Sequence, residues 1–266
     1  MNDLSLRCWS AVRAIFVVAT MLMWSSGASA QLKVLISGGF SGPYEKLLPE
    51  FGRTTGIRVT TGSGSSQGTG PQTIGAQLSR GAPADAVILS REGLTELIAG
   101  HRIVAGTDVD LARTPLGVAV RAGAVKPDVS TVEAFKHVVL NSKAVAVPSS
   151  TSGIFLTKDI FPRLGIADRV TVKVTPRGAD ATAMVAAGEA DVAVMPVSEI
   201  VHAPGVDLAG VIAEEIQLNQ VFAAAVVAGS NEVEAAKRLI AFLASERASG
   251  TIKSSGMEPL AKRRPD

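Results

Sequence analysis

The stretch LKVLISGGFSG, residues 32–42, decides the fold. Five residues, four of them apolar and branched, are too few for a helix and end in a Ser/Gly cluster, so 32–36 reads as a buried strand and 37–42 as a turn. The next residues, 43–53, carry Tyr44, Leu47, Leu48 and Phe51 on one helical face, with Pro49 expected to kink the helix and Gly56 to end it. Strand, polar turn, helix is the repeating unit of an α/β protein.

Working outward, the unit recurs. Strands are expected at 57–61, 86–89, 116–120, 144–147, 170–174, 192–195 and 222–227. Helices are expected at 71–79, 94–98, 131–139, 153–164, 179–187 and 232–243, the first opened by Pro71. A chain of this length divides its core readily. The reading is two lobes: 31–115, then 116–218, with 219–266 returning to the first lobe.

Residues 1–30 read as an export signal, with basic Arg7 and Arg13, an apolar run 14–24, and small residues Ala28, Ser29 and Ala30 for cleavage. The apolar run is too short to span a bilayer. Cys8, the one cysteine, lies inside this segment, so the remainder has no disulfide, thiolate metal ligand or thiol nucleophile. Without Asp3, Arg7 and Arg13 the formal charge falls from +2 to +1, which provides no electrostatic footprint for nucleic acid or a membrane surface. Lys262, Arg263 and Arg264 read as a solvated tail.

Three polar turns, 37–42, 63–68 and 148–153, fall at the carboxyl ends of expected parallel strands, where open α/β sheets bind ligands. Each feeds a helix, so main-chain N–H groups and serine hydroxyls converge as donors for a small anion. Taken singly, any such loop is explained by turn formation alone.

The segments KVLISGGFSG (33–42), FGRTTGIRV (51–59), GSS (64–66), GAPAD (81–85), SGIF (152–155) and GEADVAVM (188–195) resemble, in order and spacing, the periplasmic molybdate-binding proteins of ABC transporters. The resemblance covers almost all of the chain after residue 30. It implies the type II periplasmic-binding fold, with two α/β lobes joined by two crossovers and an oxyanion held between them. Carried over by position, it implies ligand contacts at Ser66 and Ser152 and a main-chain donor near Gly178. Two positions depart from the pattern. The family's first-loop serine falls at Gly39, followed by Phe40 and flanked by Ser37 and Ser41, and the family's capping tyrosine falls at Pro196, which has neither hydroxyl nor N–H. Arg177 stands beside Gly178, and its fork suits a carboxylate; it can equally be an exposed loop charge.

The expected ligand set is therefore Ser37, Gly39, Phe40, Ser41, Ser65, Ser66, Ser152, Arg177, Gly178 and Pro196, with no cofactor and no metal. The expected function is delivery of a small oxyanion or organic carboxylate to an ABC permease by a periplasmic monomer. The alternative is an exported isomerase on the same scaffold, of the aconitate type that the resemblance includes. Glu199 and Ser198 either face the cleft or start a helix, Tyr44 either packs or titrates, and no acid/base pair is singled out. GSSQG, 64–68, matches a nucleophile-elbow pattern, but no histidine is placed to serve it, and His101, His137 and His202 lack metal-ligand spacing. Asp85 reads as a turn or capping group.

Overall fold

A computed structural model describes residues 31–260; the export-signal reading of 1–30 and the basic tail at 262–264 lie outside the described residues. No helix among the described residues is long and apolar enough to cross a membrane.

Two sheets organise the chain. The first has the order β11-β4-β10-β3-β1-β2 and the second β7-β6-β8-β5-β9. In the first, β1 (Gln31–Ile36) lies parallel to both β2 (Arg58–Ser63) and β3 (Ala86–Ser90). Strand β10 (Gln220–Val226) joins β3 to β4 (Val109–Thr114) by antiparallel pairing, and β11 (Glu258–Pro259) closes the edge. In the second, β6 (Val145–Pro148) lies parallel to β7 (Val172–Thr175) and β8 (Val192–Pro196), and β5 (Leu116–Arg121) runs antiparallel to β8 and β9 (Val206–Val211). This is the two-lobed α/β architecture of periplasmic binding proteins.

Burial explains the strands. Every residue of β3, β6 and β8 is buried, so apart from Ser90 at the end of β3 these central strands are apolar runs with no alternation, as helix-covered strands are. Edge strand β2 is polar and mostly exposed. Helix α1 (Gly38–Thr55) begins five residues earlier in the chain than the turn-then-helix reading expects. Phe40, Pro43, Tyr44, Leu47 and Phe51 are all buried, with Phe40, Tyr44, Leu47 and Phe51 at 4-3-4 spacing on one face, so the apolar stripe starts at Phe40, and packing that stripe outweighs the donors lost at Pro43 and Pro49. Conversely, α2 (Ile74–Ser79) starts three residues later than Pro71, where Thr73 caps it by accepting from the N–H of Ala76 at 3.1 Å.

Among the other helices, α3 (Arg91–Ala99) is capped by Ser90, and α4 (Val132–Asn141) by Thr131. Helix α5 (Thr151–Phe155) continues through a π-helical turn, Leu156–Ile160, just before Pro162, which has no N–H with which to hold α-helical spacing. Helices α6 (Gly178–Ala186) and α7 (Val197–Ile200) follow β7 and β8, and α8 (Val233–Leu243) and α9 (Glu246–Ser254) cover the first sheet's return.

The chain passes between sheets at Pro115 and returns after Ile216. Gln217 ties these two passages together: its Oε1 accepts from the N–H of Leu116 (2.6 Å) and of Leu218 (2.9 Å), and its Nε2 donates to the carbonyls of Leu116 (3.2 Å) and Ile212 (3.1 Å).

Candidate functional site

The carboxyl ends of the parallel strands in both sheets face one cleft, and their last residues line it. Ser37 follows β1, Gly64 and Ser65 follow β2, Ser150 follows β6, Arg177 and Gly178 follow β7, and Glu199 follows β8. The inner cavity where they meet measures about 20 Å³, room for a single water-sized body. It opens into a groove of about 1080 Å³ that shares Ser37, Gly38, Gly64, Arg177 and Glu199 with it.

The two sides already touch. Ser65 Oγ donates to the carbonyl of Pro176 across the cleft at 3.0 Å. Thr151 Oγ1 donates to Gln67 Oε1 at 2.8 Å and meets Ser90 Oγ at 2.7 Å, while Ser66 Oγ accepts the N–H of Ser90 at 2.9 Å. These contacts describe a closed arrangement.

Two polar atoms on the inner cavity lack hydrogen-bond partners: Ser37 Oγ and Gln220 Oε1. Both side chains are at least nine-tenths buried, at 4% and 2% exposure. A buried polar atom left unmade costs about 1–3 kcal/mol, so two aimed at one cavity mark a place built for a polar guest.

Glu199 carries the electrostatics. Its carboxyl reaches from the second sheet's side to the first turns of α1 and α6: a methyl group at Gly38 or Gly178 would lie 2.4 or 2.1 Å from its Oε2. The two glycines are what let it sit there. Burial pushes its pKa up from 4.5 to about 7, with no hydrogen bond or opposite charge to offset the loss of water. Each helix start favours the anion by about 0.3–1 kcal/mol, less together than the roughly 3 kcal/mol that such a shift represents, so desolvation wins.

Of the residues expected from sequence, Ser37, Gly39, Ser65, Ser66, Arg177 and Gly178 line the inner cavity. Ser41 lines the groove instead, its hydroxyl donating to the carbonyl of Gly38 at 2.7 Å. Phe40 is wholly buried on the core face of α1, and Ser152 and Pro196 are buried and border neither space. Arg177 holds its head 58% exposed at the mouth, 3.5 Å from Asp180. Sequence reasoning missed Ser150, Gln220 and Phe222, and left Glu199 open. Gln220 offered one signal, a lone amide at the start of an otherwise apolar strand.

The remaining polar candidates have structural partners. Tyr44 is fully buried, its hydroxyl 2.9 Å from Thr61 Oγ1 and pushed up to about 12 by burial. Asp85 accepts from the N–H of Lys33 (2.8 Å) and from Ser230 Oγ (2.7 Å), tying β1 to the loop after β10. Among the described residues no cluster of His, Cys, Asp and Glu has metal-binding geometry.

Comparison with known proteins agrees with this geometry. Residues 32–258 match the model of the bacterial extracellular solute-binding proteins. The chain is 33% identical to an aconitate isomerase from Pseudomonas sp. over 94% of its own length and 95% of the relative's. Its fold is similar to the sulfate-binding protein SubI of Mycobacterium tuberculosis (TM-score 0.67, 19% identity, 88% of each chain). It is similar also to the periplasmic molybdate-binding protein of Azotobacter vinelandii (TM-score 0.63, 18% identity, 88% of this chain and all of that one). With two sheets facing one closed cleft, and a family model matching from β1 to β11, this chain belongs to the bacterial extracellular solute-binding proteins.

Proposed function

We propose that the chain is exported to the periplasm and that its cleft binds a small organic di- or tricarboxylate. The observation that carries this reading is the partnerless buried hydroxyl of Ser37, a donor without an acceptor facing the same cavity as Glu199. A compact inorganic dianion presents charge on every face and would set one face against the Glu199 carboxyl. An organic acid can direct its carboxylates to the helix starts, Ser37 and Arg177, and its C–H portion toward Glu199. The groove has ample room for such a ligand. The lobe of 31–115 with 219–260 and the lobe of 116–218 close on it about the Gln217 crossing, which excludes water and strengthens each donor.

Delivery of the ligand to an ABC permease is the use that family membership supports. A second use, isomerisation of a tricarboxylate, is favoured by the relative that is 33% identical along nearly the whole chain. The test is a titration of the purified protein with molybdate, sulfate and a panel of di- and tricarboxylates, followed by calorimetry and melting temperature. A carboxylate should bind and raise the melting temperature. Molybdate binding with a Kd below about a micromolar, roughly −8 kcal/mol, with no carboxylate response would refute the reading.

A further inference from the structure

We propose that Glu199 is the catalytic proton carrier of an allylic isomerisation in this cleft, taking a proton from one carbon of a bound unsaturated tricarboxylate and returning it two carbons away. This rests on the carboxylate reading above and extends it from binding to chemistry.

The lining of the inner cavity makes the assignment. Its polar members are serine hydroxyls, the Gln220 amide, Arg177 and Glu199. Arginine stays protonated, and hydroxyls and amides do not take up a proton near neutrality. Glu199 is thus the one lining group of that cavity able both to accept and to release a proton. The other titratable groups of the groove, Glu45, Lys46 and His202, are exposed and do not reach the inner cavity, and the ring of His202 lies 3.0 Å from the carbonyl of Ser254.

The carboxyl also sits where such a group must sit. It extends from the second sheet's side to Gly38 on the first sheet's side, so its dry surroundings exist only when the lobes are together. A carboxylate in water is too weak a base for a carbon-bound proton. Shielded from water, its basicity approaches the working pH, which is where general acid–base catalysis is most effective.

The step balances without a further reactant. The methylene C–H bond breaks toward Glu199, and its electron pair becomes the new double bond. The pair of the old double bond forms a C–H bond at the far carbon with the proton Glu199 carried. Nothing is oxidised or reduced. The negative charge that spreads into the ligand's carboxylates during transfer faces the starts of α1 and α6 and the hydroxyl of Ser37, all fixed beforehand.

The experiment compares wild type, Glu199→Gln and Glu199→Asp with cis- and trans-aconitate, reading binding by calorimetry and product by proton NMR. Melting temperature establishes that each variant is folded. Wild type should bind and interconvert the two acids. Glu199→Gln should bind within about tenfold of wild type yet lose at least about a hundredfold in turnover, with Glu199→Asp between them. Turnover by Glu199→Gln within tenfold of wild type would overturn the assignment. So would binding by wild type without interconversion, which leaves the carboxylate reading standing. Absence of aconitate binding by wild type would also overturn the assignment, while the panel of other di- and tricarboxylates decides the carboxylate reading separately. In deuterium oxide, wild-type product formed in the first turnovers should keep part of the substrate's own proton; complete replacement by deuterium would refute a single carrier.

Discussion

Glu199→Gln should stabilise the protein, and should do so only at neutral to alkaline pH. The wild-type carboxyl holds its proton up to about pH 7 in the folded state, whereas its ordinary value is 4.5. A raised folded-state pKa means that the folded chain binds more protons between these two values, so stability is full below about 4.5 and declines as pH rises through 7. The shift corresponds to about 3 kcal/mol, and the two helix starts, which favour the anion, reduce the expected effect to about 2 kcal/mol. Glutamine keeps the shape and cannot ionise. For a domain of this size each kcal/mol moves the melting temperature by roughly 2–4 °C, so the variant should melt roughly 4–8 °C above wild type at pH 8 and alongside it at pH 4.5. Paired thermal melts of the two proteins across that range isolate the residue, because every other titrating group is common to both. A difference that stays constant with pH would refute the reasoning, since it would show that the carboxyl is solvated and ionises normally.

Three further outcomes are expected. Ser37→Ala removes a buried hydroxyl that has no partner, so it should leave melting temperature unchanged or slightly raised while weakening carboxylate binding about tenfold in calorimetry. Gln217→Ala strips four hydrogen bonds from the crossover and leaves the N–H groups of Leu116 and Leu218 without their acceptor; denaturant titration should show a loss of about 2–3 kcal/mol. Arg177→Ala breaks only a long, exposed pair with Asp180, so stability should change by less than about 0.5 kcal/mol. If the guanidinium swings inward to the ligand, affinity should fall at least roughly thirtyfold, with Arg177→Lys recovering only part of it.

How much of this was legible beforehand depended on the kind of signal. Buried strands such as β3 and β8 announce themselves by composition, because a strand covered on both faces must be apolar throughout. Strands β4 and β9, with sequences VDLART and VDLAGV, were missed since their partly exposed positions admit Asp, Arg and Gly. Ser65 and Ser66 were legible as lining residues because turns at strand ends have a composition of their own, whereas Gly178 came only from the resemblance to the molybdate-binding proteins. Gln220 and Phe222 were not, since they lie on a strand that returns to the first sheet more than a hundred residues after β3, and only the pairing of β10 with β3 brings them to the cleft. Glu199 was readable as a polar residue after β8, but its importance comes from Gly38, a contact across 161 positions of sequence and between the two sheets.

The Gln217 clasp has a mechanical consequence. Two separate strands of chain joining two bodies would permit twisting as well as bending, and a ligand would have to arrest both. Because one amide fastens Leu116, Ile212 and Leu218 into a single bundle, the bodies share something closer to a door pin than a pair of tethers. Were the lobes to open about that pin, Glu199 would leave Gly38 and return to it along one arc, and closing would deliver the carboxyl to the same spot. A guest then arrests one degree of freedom instead of several, and more of its contact energy remains for holding it and for bending its bonds.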